Sequence, residues 1–455
     1  MRQFILLFVI ILTFVINSVA YGMPNDQSIS FLSVADIHFD PFVTCPTNSS
    51  DCPIVDKLLH AKADEWKQIF EAYDTEAPQY KFDTNYVLLQ STLAELKKTA
   101  EAEKISFVVI LGDELGHHFK EHYEKYTGDS SEAGYQDFVS KTMQFLSAEI
   151  ANTFPTIDVY SAVGNNDSYR GDNVTDPEGD FFKENAVRWG SLVKDPSNQA
   201  VIRQEFPEMG YYAVNLLPDA KVRLIVLNTA PFWQGIHDEN LDQAVKAELQ
   251  WLRKELTWAQ ENHQKVILTM HTPAGIDIYA SLKSKPASLV EVWKPEYTQL
   301  FQAELQQFAA QIMVILPAHF HSDWFQGLQF GENFIPVVGT PSISPGIGNN
   351  PAFKVYRYSN QSLVLQDYTV YFNALSEMTW QKEYDFNEIY QPNCSDCRVI
   401  DGIGQFTRTG SLVANYKQYF DAGTYSSPIA KEEYWNYYWC QTQAMMVSDY
   451  QRCMG

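Results

Sequence analysis

The chain has 455 residues, 56 of them acidic against 33 basic, for a formal net charge of −23. So acidic a surface repels polyanions, which argues against a stable nucleic-acid partner. At 45% hydrophobic residues the sequence is too apolar for a disordered chain, and it is long enough for one large domain plus an appendage.

The first element is a targeting segment rather than part of the fold. Met1-Arg2-Gln3 is a short basic start, Phe4–Ile16 is apolar, and Ser18-Val19-Ala20 offers small residues for cleavage. That is the layout of a secretory signal peptide, assigned to 1–22. The apolar stretch is short for a membrane anchor, and no later segment looks transmembrane. The expected destination is secreted or lysosomal/vesicular. Six cysteines, at 45, 52, 394, 397, 440 and 453, suit an oxidising compartment. Pairing neighbours would close three short loops, although spacing alone leaves the connectivity open. Sequons stand at Asn48, Asn166, Asn173, Asn360 and Asn393.

Residues 23–374 are expected to form the catalytic domain. Five apolar runs of strand length follow one another there: Phe31–Ala35, Phe107–Gly112, Ile157–Gly164, Val266–Met270 and Ile312–Ala318. Each is followed at once by residues able to bind metal. These are Asp36 and His38, then Asp113, Asn165, His271, and finally His319 and His321. Helical spacing over 86–103, 135–152, 239–262 and 296–311 leads into the second to fifth runs. Strand alternating with helix predicts an α/β fold, with ligands gathered past the C-terminal strand ends. Further strand-like runs at 211–216, 222–228, 323–330, 334–338, 353–359 and 363–373 predict a second sheet. The expected fold is a two-sheet sandwich flanked by helices. The segment 165–200, rich in Asp, Asn and Gly, is expected as a long loop shaping one wall of the site. Aromatic-rich helices over 411–421 and 430–451 predict a helical C-terminal subdomain at 375–455, tied by Cys440 and Cys453.

Singly, these polar residues have ordinary uses. Asp36 could cap a turn, Asp113 and Asn165 could sit in turns, and His271 could be a satisfied core histidine. His319-Phe320-His321 is the firmest piece, because alternate residues of an extended segment face one side. Four His, two Asp and one Asn form a nitrogen–oxygen set suited to Zn²⁺, Mn²⁺ or Fe²⁺. Seven residues exceed one tetrahedral shell but fit two ions sharing a carboxylate. Two divalent cations, two carboxylates and a hydroxide leave a small positive charge, which attracts a phosphate ester locally.

At these residues the chain resembles the calcineurin-like metallophosphoesterases, whose pattern is D-x-H, G-D, G-N-H-D/E, a lone His and G-H-x-H. Here it reads Asp36-Ile37-His38, Gly112-Asp113, Gly164-Asn165-Asn166-Asp167, His271 and Ala318-His319-Phe320-His321. The resemblance implies one metal on Asp36, His38, Asp113 and His321. It implies a second on Asp113, Asn165, His271 and His319, with Asp113 bridging and a bridging hydroxide attacking phosphorus. Purple acid phosphatases carry a Tyr three residues after the second-motif Asp, where this chain has Gly116. The acid sphingomyelinase group carries a His one position later, as His117 here, and the opening Asp36-Ile37-His38-Phe39-Asp40-Pro41 also looks like that group. With no room before the first motif for a saposin-like domain, the resemblance points to an acid-sphingomyelinase-like phosphodiesterase. Such proteins are secreted or lysosomal glycoproteins holding two zinc ions, with Mn²⁺ or Fe²⁺ as lesser candidates. Their substrates are nucleotide and phosphocholine-type diesters or pyrophosphates.

Two positions depart from the family pattern. Ala318 replaces a Gly, and Asn166 stands where the third motif has the His assigned to the leaving group. Asn can donate a hydrogen bond but not a proton, which leaves His117 as the expected general acid. The alternative role for His117 is to orient Asp113. The expected activity is hydrolysis of phosphodiester or pyrophosphate bonds in small molecules by a monomer, with an acidic optimum. Sphingomyelin hydrolysis, endopolyphosphatase or phosphomonoesterase action on the same site are alternatives. So is a secreted metal-binding protein that has lost turnover.

Overall fold

The computed structural model describes residues 28–216, 221–283, 288–394, 396–424 and 426–455. The expected signal peptide lies outside the described residues. Among the described residues there are fourteen strands. The first six are β1 (Ser28–Val34), β2 (Phe107–Ile110), β3 (Asp158–Ser161), β4 (Tyr212–Leu216), β5 (Val222–Val226) and β6 (Lys265–Thr269). A short ribbon, β7 (Ile276–Asp277) and β8 (Val290–Glu291), precedes β9 (Ile312–Leu316), β10 (Phe325–Phe330) and β11 (Asn333–Val338). The last three are β12 (Ala352–Ser359), β13 (Leu365–Ala374) and β14 (Thr379–Asp385).

Two six-stranded sheets result, ordered β14-β13-β12-β1-β2-β3 and β10-β11-β9-β6-β5-β4. Both are mixed and flanked by helices, so the expected sandwich is the fold. The parallel strands are level at the ends that matter. Val34, Ile110 and Ser161 are register partners across β1, β2 and β3. Val226, Thr269 and Leu316 are partners across β5, β6 and β9. Residues placed just beyond these positions are therefore brought to one rim. The strands themselves are buried Val, Ile and Leu, such as Ile312–Leu316 with all five residues inside, as strands covered on both faces require.

The crossover helices form where their apolar spacing predicts. Tyr86–Ala102 starts at Asn85, whose side chain accepts from the Leu88 amide at 3.0 Å. Glu239–Glu261 starts at Asp238, which accepts from the Asn240 amide at 2.8 Å. Leu241, Val245, Leu249, Leu252, Leu256 and Ala259 form its buried stripe. The other two crossovers are Glu132–Thr153 and Pro295–Phe308.

Three details differ from expectation. The segment expected as a loop through 165–200 becomes helix at Asp180–Gly190, because Phe181, Phe182, Ala186 and Trp189 bury one face. The helix expected over 430–451 is broken into Trp435–Gln441 and Val447–Met454. Cys440 and Cys453 are disulfide-bonded with Cα atoms 5.7 Å apart. A continuous helix would hold residues thirteen apart at roughly 20 Å, so the bridge forces a turn between them. Cys45–Cys52 and Cys394–Cys397 are the other two bridges. Finally, β14 lies past residue 375 and closes the first sheet, so a C-terminal subdomain starting there would share its first strand with the core. The remainder of that segment docks on β10. Phe386, Tyr390, Phe406 and Tyr416 surround Phe325 with ring centroids 5.8, 5.3, 5.2 and 5.0 Å away.

A buried ion pair ties the first sheet to the segment that leads into β10. Lys354 of β12 donates to Asp323 Oδ1 at 2.5 Å, and Tyr384 of β14 donates to Asp323 Oδ2 at 2.6 Å. Removing one partner of such a pair strands the other charge in the core. Lys354→Met is expected to cost about 3–5 kcal/mol in urea unfolding. A loss below about 1 kcal/mol would show that the pair is dispensable.

Candidate active site

The residues just past the level strand ends meet in one cluster. The ligand-capable atoms of Asp36, His38 and Asp113 lie within 4.8 Å of one another. So do those of Asp113, His271 and His319, and those of His38, His117 and His321. Asn165 joins through its Oδ1, 3.1 Å from His271 Nε2. The structure therefore brings together all seven ligand candidates, together with His117.

The backbone turns sharply to deliver them. Asp36, His38, Asp113, His319 and His321 have φ of 50°, 44°, 53°, 70° and 58°. Side chains seldom adopt this left-handed region, at a cost of about 1–3 kcal/mol each, and such strain gathers at functional sites. Cross-links hold the loops in place. The Asp36 amide donates to Gly112 O at 3.0 Å and the His38 amide to Asp113 O at 2.9 Å. Asp167 Oδ1 accepts from the Glu114 and Leu115 amides at 2.9 and 3.1 Å, and its Oδ2 accepts from Gly164 at 2.9 Å. Gly164 is required by contact, since a Cβ there would meet Asp113 Oδ1 at 2.0 Å.

The donor geometry calls for cations. His38 Nδ1 donates to Leu115 O at 2.9 Å and His271 Nδ1 to Leu111 O at 2.7 Å. In the neutral rings this leaves both Nε2 lone pairs facing the cluster. His38 Nε2 meets His321 Nε2 at 3.1 Å, and His271 Nε2 meets Asp113 Oδ2 at 3.1 Å. Asp36 Oδ1 and His321 Nδ1 are buried without a hydrogen-bond partner. Acceptor facing acceptor is repulsive unless a cation or proton lies between them. Protons would do this in part. Burial disfavours a charged His38, yet Asp36 and Asp113 push it up to about 10; His271, also buried, is pushed up to about 9 by Asp113. His319 and His321 go the other way, to about 4 and about 3, because burial and neighbouring imidazoles oppose their charge. Burial raises the Asp113 carboxyl, but His271 and His38 outweigh it and hold it well below the usual carboxylate range. Oxygen and imidazole donors without a thiolate are a set that divalent ions fit.

The two candidates for direct catalysis occupy different surroundings. Asn166 is buried, its backbone amide donating to Asp113 Oδ1 at 2.8 Å and its side-chain amide to Asp113 Oδ2 at 2.9 Å. Its burial also puts its sequon out of reach of a glycan, whereas Asn48, Asn360 and Asn393 are exposed. His117 is half-buried at the mouth, stacked on His38 with ring centroids 3.8 Å apart. Its Nδ1 lies 3.0 Å from Asp83 Oδ1, and its amide donates to Asp83 Oδ2 at 2.7 Å. Ser344 Oγ also donates to Asp83 Oδ1, at 2.9 Å. Burial raises the Asp83 carboxyl, but the imidazoles of His117 and His38 outweigh it and hold it well below the carboxylate range. Sequence reasoning did not find Asp83, which lies in a loop with no strand end before it. Gly116 lets Asp40 and Asp83 approach, since a Cβ there would meet Asp40 Cβ at 2.7 Å; a tyrosine has no room.

Comparison with known proteins agrees with this geometry. Residues 29–323 match the family model for calcineurin-like phosphoesterase. The chain belongs to the calcineurin-like phosphoesterase family, whose fold implies a dinuclear metal site. Several relatives are named as sphingomyelinase or acid sphingomyelinase-like phosphodiesterases. It is 24% identical to "Sphingomyelinase phosphodiesterase D" of Dictyostelium discoideum, covering 93% of each chain. It is 24% identical to human acid sphingomyelinase-like phosphodiesterase 3b over 95% of this chain and 92% of that protein. A cyclic GMP-AMP phosphodiesterase of Bos taurus is 22% identical over 79% of this chain and 75% of that protein. Among solved structures, a dimetal phosphatase from Danio rerio covers 76% of this chain and 95% of its own, with TM-score 0.38 and 12% identity. No helix among the described residues is long and apolar enough to cross a membrane.

Proposed function

We propose that this chain is a secreted or lysosomal zinc-dependent phosphodiesterase that cleaves phosphodiester or pyrophosphate bonds of small nucleotide or phosphocholine-type substrates. The convergence of oxygen and imidazole groups from Asp36, His38, Asp113, Asn165, His271, His319 and His321, with Asp36 Oδ1 and His321 Nδ1 buried and unpartnered, carries this reading. Two divalent ions held there would supply an activated water and a positive clamp for the phosphoryl oxygens. Asp113, central to both ligand groups, is held in position by both amides of Asn166. His117 offers a proton to the departing oxygen, its ring fixed by Asp83 on one edge and by stacking on His38. Beside the cluster lies a cavity of about 500 Å³ lined by Tyr279, Phe320, Phe420 and Tyr438, room for a planar or apolar substituent.

The test is a panel of CDP-choline, ATP, a cyclic dinucleotide, polyphosphate and sphingomyelin on zinc-loaded protein from acidic to neutral pH. Turnover of the small soluble esters supports the reading, while turnover of sphingomyelin or polyphosphate alone would replace it. Asn166 favours one second reading, a metal-binding protein without turnover. Asn166→His separates the two: a large rise from near-zero activity marks a degenerate site, and little change marks an enzyme built around Asn.

A further inference from the structure

The cavity beside the metal cluster has a neighbour. A second cavity, of about 450 Å³, lies on the other side of His117 and is lined in part by Asp40, Phe82, His118 and His122. Four residues, Lys81, His117, Gly346 and Ile347, line both cavities. Lys81 is the one lysine or arginine among the described residues lining either of them.

The backbone that carries the lysine is pinned, and its side chain is exposed. Tyr80 OH donates to Asn350 Oδ1 at 2.6 Å and the Lys81 amide to Pro345 O at 2.9 Å. Two residues on, Asp83 is fixed by His117 and Ser344. Lys81 itself has φ 69°, a left-handed conformation that lysine rarely takes. Among the described residues no acidic side chain pairs with its ammonium. The nearby carboxylates are already engaged: Asp83 with His117, and Asp40 with His122 at 3.0 Å. Asp277, on the first cavity, accepts from the Ala280 amide at 2.8 Å. An exposed lysine without an acidic partner, its backbone pinned where two cavities meet and beside the candidate proton donor His117, fits an anionic leaving group.

We infer that Lys81 forms a second anion subsite that holds the distal phosphate of a pyrophosphate-bearing substrate. The inference rests on the phosphoesterase reading of the cluster beside it. Leaving-group chemistry points the same way. In pyrophosphate hydrolysis the water oxygen bonds the attacked phosphorus, and the bond to the bridging oxygen breaks with its electron pair kept by the departing phosphate. One of water's protons stays on the newly formed phosphate and the other passes to solvent. A phosphate ester departing as its dianion is a weak base, with a second ionisation at about 6, so it needs charge neutralisation more than a proton. An alkoxide leaving group has the opposite need. Asn166, where relatives of the family pattern carry a proton-bearing His, and Lys81, which supplies charge, therefore suit the same class of substrate. The same ammonium disfavours a cationic choline on that side.

Equilibrium dialysis of zinc-loaded protein with AMP and with α,β-methylene-ADP tests this without turnover. Wild type is expected to hold the diphosphate analogue about ten-fold more tightly than AMP, the scale of one charge-assisted phosphate contact. Lys81→Met should lose most of that preference, Lys81→Arg should keep it, and AMP affinity should stay within about two-fold throughout. Absence of a preference in wild type, or its survival in Lys81→Met, overturns the subsite. Hydrolysis of bis-(p-nitrophenyl) phosphate, followed in parallel, reports on the hydrolase reading separately. A Lys81-dependent preference in a protein that turns over no ester would leave the subsite standing and remove the enzyme.

Discussion

Stripping divalent metal with a chelator is expected to abolish phosphodiester hydrolysis and to lower the melting temperature, both reversed by adding zinc. Asp36, His38, Asp113 and His271 are essentially inaccessible to solvent, so water cannot replace a lost cation among them. Removing the ions leaves His38 Nε2 against His321 Nε2 and His271 Nε2 against Asp113 Oδ2, at 3.1 Å in each case. The metal-free protein must take up protons on His38 and His271 in compensation. Both are pushed above the ordinary histidine range, so those protons remain bound at neutral pH and compete with the metal. Metal uptake must release them, and affinity should therefore fall as pH falls. Because ions bind only the folded site, their loss lowers stability by the binding linkage, about 4 kcal/mol at a thousand-fold excess over Kd. Asp113→Ala is the sharper form of the experiment. Asp113 belongs to both ligand groups, so its loss should reduce bound metal below one ion per chain and activity by about a thousand-fold, corresponding to several kcal/mol of lost charge stabilisation. Full metal content in Asp113→Ala would refute the shared-carboxylate arrangement.

The seven ligand candidates were legible because each follows a buried parallel strand. Periodicity places the strand and the register levels its end, so the next polar residue falls at the rim. Asp83 and Lys81 carry no such signal. They sit in the loop before Tyr86–Ala102, and the hydrogen bond to Pro345 and the contacts to His117 and Ser344 that place them come from sequence-distant segments. The role of Asn166 was half legible. Its inability to give a proton follows from its chemistry, but its two bonds to Asp113 depend on how the third loop folds over the second. At the C-terminus, aromatic spacing over 430–451 predicted one helix, while pairing each cysteine with its neighbour would bridge 440 and 453. The two are geometrically incompatible, and weighing them together would have shown the turn.

His117→Gln is expected to act through the leaving group. If its ring protonates the departing oxygen, a dinucleotide that expels a ribose alkoxide should lose about a hundred-fold or more in kcat/KM, the usual scale of general acid catalysis. Bis-(p-nitrophenyl) phosphate, whose nitrophenolate departs without help, should lose less than about five-fold. Asp83→Asn should show the same pattern to a smaller degree, because Asp83 acts through His117, whose ring it fixes at 3.0 Å. The geometry also allows a different result. A ring nitrogen of His117 lies within 4.8 Å of the ligand atoms of His38 and His321, and its ring is stacked on His38. Were His117 a support for that histidine, both esters would slow equally and bound metal would fall with activity. Leaving-group dependence at constant metal content is what a proton donor alone produces, so measuring both quantities on the same preparation assigns the residue. A pyrophosphate substrate, whose departing phosphate asks for charge rather than a proton, should then feel Lys81→Met far more than His117→Gln.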